Sequence, residues 1–406
     1  MKKTEVAVFG YGTVGSGVVE VIDRNHDLIA ARGADLHVKY VLDIRDFEGD
    51  PIQARIVHDV DVILNDPEIG VICETMGGVG AAYQFSKKAL EKGISVCTSN
   101  KELVELHGAE LMKIASANHC SYLYEASVGG GIPIIRTIQA ALTAERIERI
   151  YGILNGTTNY ILTKMEQDGA DFEAVLKEAQ ELGYAEKDPT ADIEGHDPCR
   201  KIAILASLVT GKKVSWNDLL CEGITKISSA DFAYAKALKA KIKLIAMCEF
   251  TEKGCYAFVA PRMIPEANPL TCAQDVFNAV LVHSDMLDDS LYYGRGAGKL
   301  ATASAVVGDA VEAAIRTGET AGGHWTEESA SVCDIATYEQ GYFIRFSGDA
   351  AARENEVRAK FGAGRIVRAE GADGEFGYVT EKMAEGDFRK KLADADGVIG
   401  YLRCDA

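Results

Sequence analysis

The 406-residue sequence contains no apolar run near the roughly 18 residues that cross a bilayer, so no membrane partner is expected. It is short of positive charge. Lys and Arg number 43 against 61 Asp and Glu, a formal net charge of −18. Such a surface repels phosphate backbones, and nucleic acid is not an expected partner either. None of the ten cysteines forms a C-x-x-C pair, and the eight histidines lack metal-ligand spacing, so no transition-metal cluster is expected. The cysteines read as reduced, mostly buried thiols of a cytoplasmic protein. The start, Met1 to Glu5, is charged, but the apolar stretch behind it is broken by Gly10, Gly12 and Gly15, which argues against a signal peptide. There is no internal repeat and no low-complexity tract. What is present is 47 % hydrophobic residues, enough for ordinary cores, in a chain long enough for two or three domains.

The first 130 residues alternate short strands with helical patterns. Strands are predicted at 4–9, 37–42, 60–64, 70–74, 95–98 and 121–124, and a helix over 13–31. Strands separated by helices imply right-handed crossovers and a parallel sheet covered on both faces. From Ala144 the texture becomes α+β, with strands at 149–154, 244–250 and 256–261 among helices at 159–167, 172–182, 199–209 and 232–239. An alanine-rich helix follows at 303–316, and the Gly-, Ser-, Thr- and Glu-rich segment 317–331 reads as a linker. The last stretch has the order βαββαβ, the ferredoxin-like split motif.

The strongest local signal is Gly10-Tyr11-Gly12-Thr13-Val14-Gly15, a G-x-G-x-x-G between a predicted strand and a helix. Gly10 suits a tight turn, Gly12 close approach of a pyrophosphate, and Gly15 close helix–strand packing. The helix N-terminus offers free N–H groups to an anion, so an acidic chain still binds an anionic cofactor locally. The motif reads as the phosphate turn of a Rossmann-type dinucleotide-binding domain, against a purely structural glycine-rich turn. At the end of the second strand, Asp43 suits the ribose 2′-hydroxyl of NAD and Arg45 the 2′-phosphate of NADP, which leaves the choice open while leaning to NAD.

Residues 183–201 form an acidic loop containing Glu186, Asp188, Asp192, Glu194 and Asp197. Crowded carboxylates need an answering cation, and the ammonium of an amino-acid substrate is one. Asp197 and Lys201 are spaced to meet on one helix face; alternatively Asp197 caps a helix beginning at Pro198. The stem of Lys201 starts beside Ile202, Ile204 and Leu205, a setting that suits a proton-exchanging amine. Asn155 to Asn159 either contacts ligand or caps the helix that follows.

These motifs, with Glu74 to Gly78, Thr98-Ser99-Asn100-Lys101, Glu125 to Pro133, Leu154 to Asn159, Leu182 to Glu186 and Gly294 to Gly298, resemble homoserine dehydrogenase over about residues 4–316. The resemblance implies reversible, NAD- or NADP-dependent oxidation of L-homoserine to L-aspartate 4-semialdehyde, in threonine and methionine synthesis. It implies Lys201 as general acid/base oriented by Asp197, substrate binding by Glu186, Asp192, Asp197 and Lys101, and a catalytic part for Lys101. Cofactor contacts are implied for Gly10 to Gly15, Asp43, Arg45, Thr98, Ser99, Lys101, Gly183, Gly296 and Gly298. A sodium ion is implied on the backbone carbonyls of Glu125, Val128, Gly130 and Ile132. Arg295 stands where proline is commoner. The C-terminal block resembles an ACT-type domain without its D-x-P-G-x-L turn, so a threonine effector and a pure oligomerisation role both stay open. The expected fold is α/β: a nucleotide-binding domain (1–130 plus 291–316), an α+β catalytic and dimerisation domain (131–290), a linker (317–337) and an ACT-like domain (338–406), assembled as a homodimer or homotetramer. Two other functions stay open: a dehydrogenase of another small hydroxy or carbonyl compound, and a non-catalytic dinucleotide-binding redox sensor. The sensor leaves Lys201 beside the acidic loop unexplained.

Overall fold

The computed structural model describes residues 3–405, which divide into two compact units. The first comprises Met1–Glu145 (described from Lys3), Ala203–Ser215 and Gly294–Ala330. The six strands of its main sheet are all parallel, in the order Ile56–Val57, Asp35–Leu42, Lys3–Phe9, Ile69–Glu74, Ser95–Thr98, Tyr122–Leu123. Chain order reverses beside Lys3–Phe9, the switch point beyond whose strand ends a doubly wound sheet opens a ligand crevice. Val6, Val8, Val71, Cys73 and Cys97 fill the core. The helix Lys299–Ile315 packs on the helix Thr13–Arg24, and Gly17 makes the close approach possible: a Cβ there would stand 2.7 Å from the Lys299 carbonyl.

One predicted strand is corrected. Residues 60–64 form the short helix Val60–Leu64, begun by Asp59, whose carboxylate accepts the Asp61 N–H at 2.9 Å. The V-D-V-I-L alternation fits both periods over so few residues, and the cap decides. The segment read as a linker packs firmly: Ala321 and Trp325 are buried, and Thr326–Ser329 pairs with Lys212–Lys213. One tryptophan, one alanine and a short strand pairing anchor a stretch whose composition is otherwise that of a loop. Among the described residues no helix is long and apolar enough to cross a membrane.

The second unit comprises Arg146–Ile202, Trp216–Tyr293 and Ser331–Ala406 (described to Asp405). Its sheet is built on the long hairpin Ala240–Thr251 and Gly254–Pro265, flanked on one side by Ile147–Ile153 and Phe277–Ser284. The C-terminal βαββαβ block is present in that order, with a two-residue strand Met383–Ala384 added. Its last strand, Val398–Cys404, pairs in parallel with Gly254–Pro265, so the sheet of the block runs on from the middle one. Buried charge crosses that seam only in pairs: Arg403 is held by Glu222 (2.7 Å) and Glu385 (2.7 Å), and Arg262 by Asp405 and Gln340.

Candidate active site

In the first unit, Gly10 stands at φ +88° and donates its N–H to the Leu42 carbonyl at 2.8 Å. A left-handed residue turns the chain sharply off the strand, which glycine does without strain. A Cβ on Gly15 would lie 1.8 Å from the Gly10 carbonyl oxygen, whereas one on Gly12 would meet nothing within 4 Å. The turn is therefore closed on its protein side and open on its ligand side. Thr13 and Val14 begin the helix Thr13–Arg24 at Gly12, whose amides face an anion without a competing side-chain cap.

Asp43 is buried, and both its oxygens are occupied. Oδ2 accepts the Tyr11 N–H (2.7 Å) and Arg45 Nη2 (2.9 Å), and Oδ1 accepts the Arg45 N–H (3.0 Å) and Nε (2.9 Å). The Arg45 guanidinium, ahead of the opposing burial, holds its carboxyl well below the usual range. Arg45 itself is largely exposed and also reaches the Tyr11 carbonyl at 3.2 Å.

At the ends of the next strands, Glu74 is fully buried. It accepts Thr98 Oγ1 at 2.5 Å and the Met76 N–H at 2.7 Å, while Thr98 Oγ1 accepts the Asn100 N–H at 2.9 Å. Ser99 donates its N–H to the Glu74 carbonyl at 3.3 Å. Asn100 caps the helix Lys101–Ala117, which places Lys101 at its first position. Burial pushes the Glu74 carboxyl up to about 7, against the two hydrogen bonds. The folded protein then holds a proton there that the unfolded chain has already lost, so stability falls as pH rises from about 4.5 to about 7 and is level above. The expected loss is about 3 kcal/mol at most. Glu74→Gln keeps the network without the titration, so urea midpoints at pH 5 and pH 7.5 should diverge less for this variant than for the wild type.

Farther along, Gly129 (φ +72°) and Gly130 (φ +56°) make consecutive left-handed turns. A Cβ on Gly130 would lie 2.4 Å from the Gly296 carbonyl oxygen, and Gly131 donates to the Arg295 carbonyl at 3.1 Å. Val128 and Ile132 are buried in this bend. The Glu125 side chain points elsewhere, accepting the Ile135 and Arg136 N–H groups at 2.8 and 2.7 Å. Gly298, at φ +117°, precedes the helix Lys299–Ile315.

In the second unit, the helix His196–Thr210 starts ahead of Asp197, so Asp197 is an intrahelical residue rather than a cap for Pro198. Lys201 and Asp197 are both buried. Lys201 Nζ donates to Asp197 Oδ2 at 2.7 Å and to the Leu154 carbonyl at 2.7 Å. Asn155 Nδ2 donates to Asp197 Oδ2 at 2.9 Å and to Asp192 Oδ1 at 2.6 Å. Asn155 Oδ1 meanwhile caps the helix Gly156–Asp168 by accepting the Thr158 N–H at 2.8 Å. Burial, with the Asp197 charge second, pushes the Asp192 carboxyl up. Lys201, Asp197 and Asp192 thus share one cluster through Asn155. Glu186 stands on the exposed part of the loop, where its carbonyl accepts Gln180 Nε2 at 3.1 Å. Gly183, at φ +74°, ends the helix Phe172–Glu181.

Family models described as "Homoserine dehydrogenase, NAD binding domain" and "Homoserine dehydrogenase" match residues 10–125 and 133–311. The chain belongs to the homoserine dehydrogenase family. It is 40 % identical over 316 residues to the homoserine dehydrogenase of Bacillus subtilis, covering 77 % of this chain and 73 % of that one. It is 42 % identical over 318 residues to that of Pseudomonas aeruginosa, covering 77 % and 72 %. The crystal structure of a homoserine dehydrogenase from Thiobacillus denitrificans superposes with a TM-score of 0.90 at 32 % identity, over 100 % of this chain and 99 % of that one. A hyperthermophilic archaeal homoserine dehydrogenase mutant in complex with NADPH superposes with a TM-score of 0.67 at 27 % identity, over 78 % and 98 %. As a homoserine dehydrogenase, the enzyme is an oxidoreductase that interconverts L-homoserine and L-aspartate 4-semialdehyde with a nicotinamide dinucleotide.

Sequence reasoning passed over three features of these clusters. Glu74 was visible only as part of a motif, because its burial depends on the neighbouring strand. The Leu154 carbonyl has no side-chain signature at all. Asn155 carried a legible cap signal, but its second task, bridging two carboxylates on helices more than 35 residues further along the chain, depends on the tertiary fold.

Proposed function

We propose that Lys201 exchanges the hydroxyl proton of homoserine, and that the single observation supporting this is its buried ammonium pinned between Asp197 and the Leu154 carbonyl. An ammonium has three N–H groups. Two are spent on holding the side chain still, and the third is the one directed at the substrate oxygen. In the reducing direction the Lys201 ammonium gives this proton to the aldehyde oxygen as hydride arrives at carbon and is left as the neutral amine; in the oxidising direction that neutral amine takes the hydroxyl proton as hydride leaves. Asp197 orients Lys201, and Asp192, Glu186 and Asp197 answer the substrate ammonium. The first unit holds the dinucleotide through the turn Gly10 to Gly15, with Thr98, Ser99, Gly296 and Gly298 as further contacts and Lys101 as a cation for the carbonyl oxygen; Gly183, in the second unit, is a further cofactor contact in the same reading. The nicotinamide supplies or accepts the hydride. In the same reading the carbonyls of Glu125, Val128, Gly130 and Ile132 hold sodium, the chain works in the cytoplasm as a homodimer or homotetramer, and the C-terminal block either senses threonine or serves oligomerisation.

The cofactor is NADP rather than NAD in this reading. Both Asp43 oxygens already accept N–H donors, which disfavours a ribose 2′-hydroxyl as their ligand, while the exposed Arg45 offers a planar cation to a 2′-phosphate. Initial rates should favour NADP by tenfold or more, about 1.4 kcal/mol, and Arg45→Ala should erase that preference. Equal rates with NAD in the wild type would reject it.

The substrate role of Glu186 has its own check. Glu186→Ala should raise the KM for homoserine far more than that for the dinucleotide, and since the residue is exposed the melting temperature should stay within a few degrees. An unchanged homoserine KM rejects the assignment.

A further inference from the structure

Spacing along the chain shows no histidine pair at metal-ligand distance, yet folding assembles one. The short helix His26–Ala31 leads through Gly33, at φ +104°, back to the strand Asp35–Leu42. Asp35 and His37 are two apart on a strand and so share a face. His26 Nε2 and His37 Nε2 both converge on Asp35 Oδ1, at 3.1 and 2.8 Å, and the imidazole centroids are 4.8 Å apart. The three donor atoms all lie within 4.8 Å of one another.

We propose that His26, Asp35 and His37 bind one borderline divalent transition-metal ion of the Zn²⁺, Co²⁺ or Ni²⁺ class, with water completing the coordination. Two imidazoles and one carboxylate select such ions over Mg²⁺ or Ca²⁺, which prefer oxygen donors. Tetrahedral coordination at about 2.0–2.2 Å puts donors about 3.3 Å apart. The two nitrogen–oxygen separations are already close to that, so only the two nitrogens have to draw together. All three side chains are partly exposed, which gives the ion access and the rings room to swing. The strand beneath them is held by the pairing of Lys3 with Asp35 and Glu5 with His37, and the neighbouring cation, Lys3, is paired with Glu5 at 2.5 Å. Asp27 lies 3.6 Å from His26 Nδ1, behind the ring.

The site is at the N-terminal end of the strand Asp35–Leu42, and the dinucleotide turn lies beside the other end, where Gly10 donates to the Leu42 carbonyl, about 23 Å away at some 3.3 Å per residue. The ion would staple helix to strand without touching the chemistry. Full-length, tag-free enzyme titrated with Zn²⁺ should bind one ion per chain in calorimetry, gain thermal stability, and develop the visible absorption of a nitrogen- and oxygen-ligated ion when Co²⁺ is used. H26Q/H37Q and D35N should lose the Co²⁺ spectrum and the stabilisation, with the metal-free melting temperature and dehydrogenase activity retained. No saturable binding by the wild type up to about 1 mM, or the same spectrum in both variants, overturns the proposal. Loss of homoserine oxidation in the wild type would count against the proposed function and leave this test unaffected.

Discussion

Replacing Lys201 with methionine is expected to lower turnover with L-homoserine by about 10²–10⁴-fold, the usual loss on removing a general acid/base. Methionine keeps most of the stem and removes the ammonium. It also leaves Asp197 buried with only part of its hydrogen bonding, and breaking a buried pair costs about 3–5 kcal/mol when nothing compensates. Asn155 Nδ2 still reaches Asp197, so the actual cost should be smaller. Two controls separate chemistry from folding. NADPH fluorescence should show wild-type dinucleotide affinity in the variant, because the turn that binds it belongs to the other unit. Lys201→Arg should keep a cation beside Asp197 and yet stay slow, because a guanidinium does not give up its proton near neutrality. Near-normal turnover in either variant would refute the role.

Gly15→Ala is expected to do comparable damage by a different route. The new Cβ would stand 1.8 Å from the Gly10 carbonyl oxygen, 3.0 Å from its carbon and 2.8 Å from Thr75 Oγ1. The nearest obstacle is backbone and cannot swing aside, so the turn must open. Its amides then no longer converge on the pyrophosphate, and the KM for dinucleotide should rise tenfold or more, equivalent to at least about 1.4 kcal/mol, along with a lower melting temperature. Gly12→Ala is the informative companion. A Cβ there meets no protein atom within 4 Å, so the melting temperature should hold while dinucleotide binding still weakens, the methyl occupying the space of the ligand. Wild-type dinucleotide KM in the Gly15 variant would remove the turn from the binding site.

Local chemistry made much of this enzyme readable. The strand at Ser95–Thr98, the G-x-G-x-x-G turn and the split βαββαβ order all rest on short-range rules, periodicity and glycine punctuation, and all appear in the structure. The strand proposed at 60–64 failed because five residues do not distinguish the two periods and an aspartate cap does. The loop-like stretch after residue 317 was misjudged for a related reason. Composition reports average polarity, whereas the buried Ala321 and Trp325 and the pairing of Thr326–Ser329 with Lys212–Lys213 fasten the segment down.

The charged groups show most sharply where reading along the chain stops. Lys201 and Asp197 are four residues apart, and helical geometry alone brings them together. By contrast, whether Asp43 faces a ribose or a guanidinium, which carbonyl receives the lysine, and how Asn155 divides itself between a helix cap and two carboxylates depend on partners 2 to 47 residues distant. Sequence by itself determined the dinucleotide-binding class and the βαββαβ order of the last block and brought Lys201 within reach of Asp197, because each follows from spacing within one or two elements, whereas the helix start at His196 decided between that pair and a cap. Only the tertiary structure decided the burial of Glu74, the occupation of Asp43 and the meeting of His26 with His37, because desolvation and convergence are properties of surfaces brought together from separate elements.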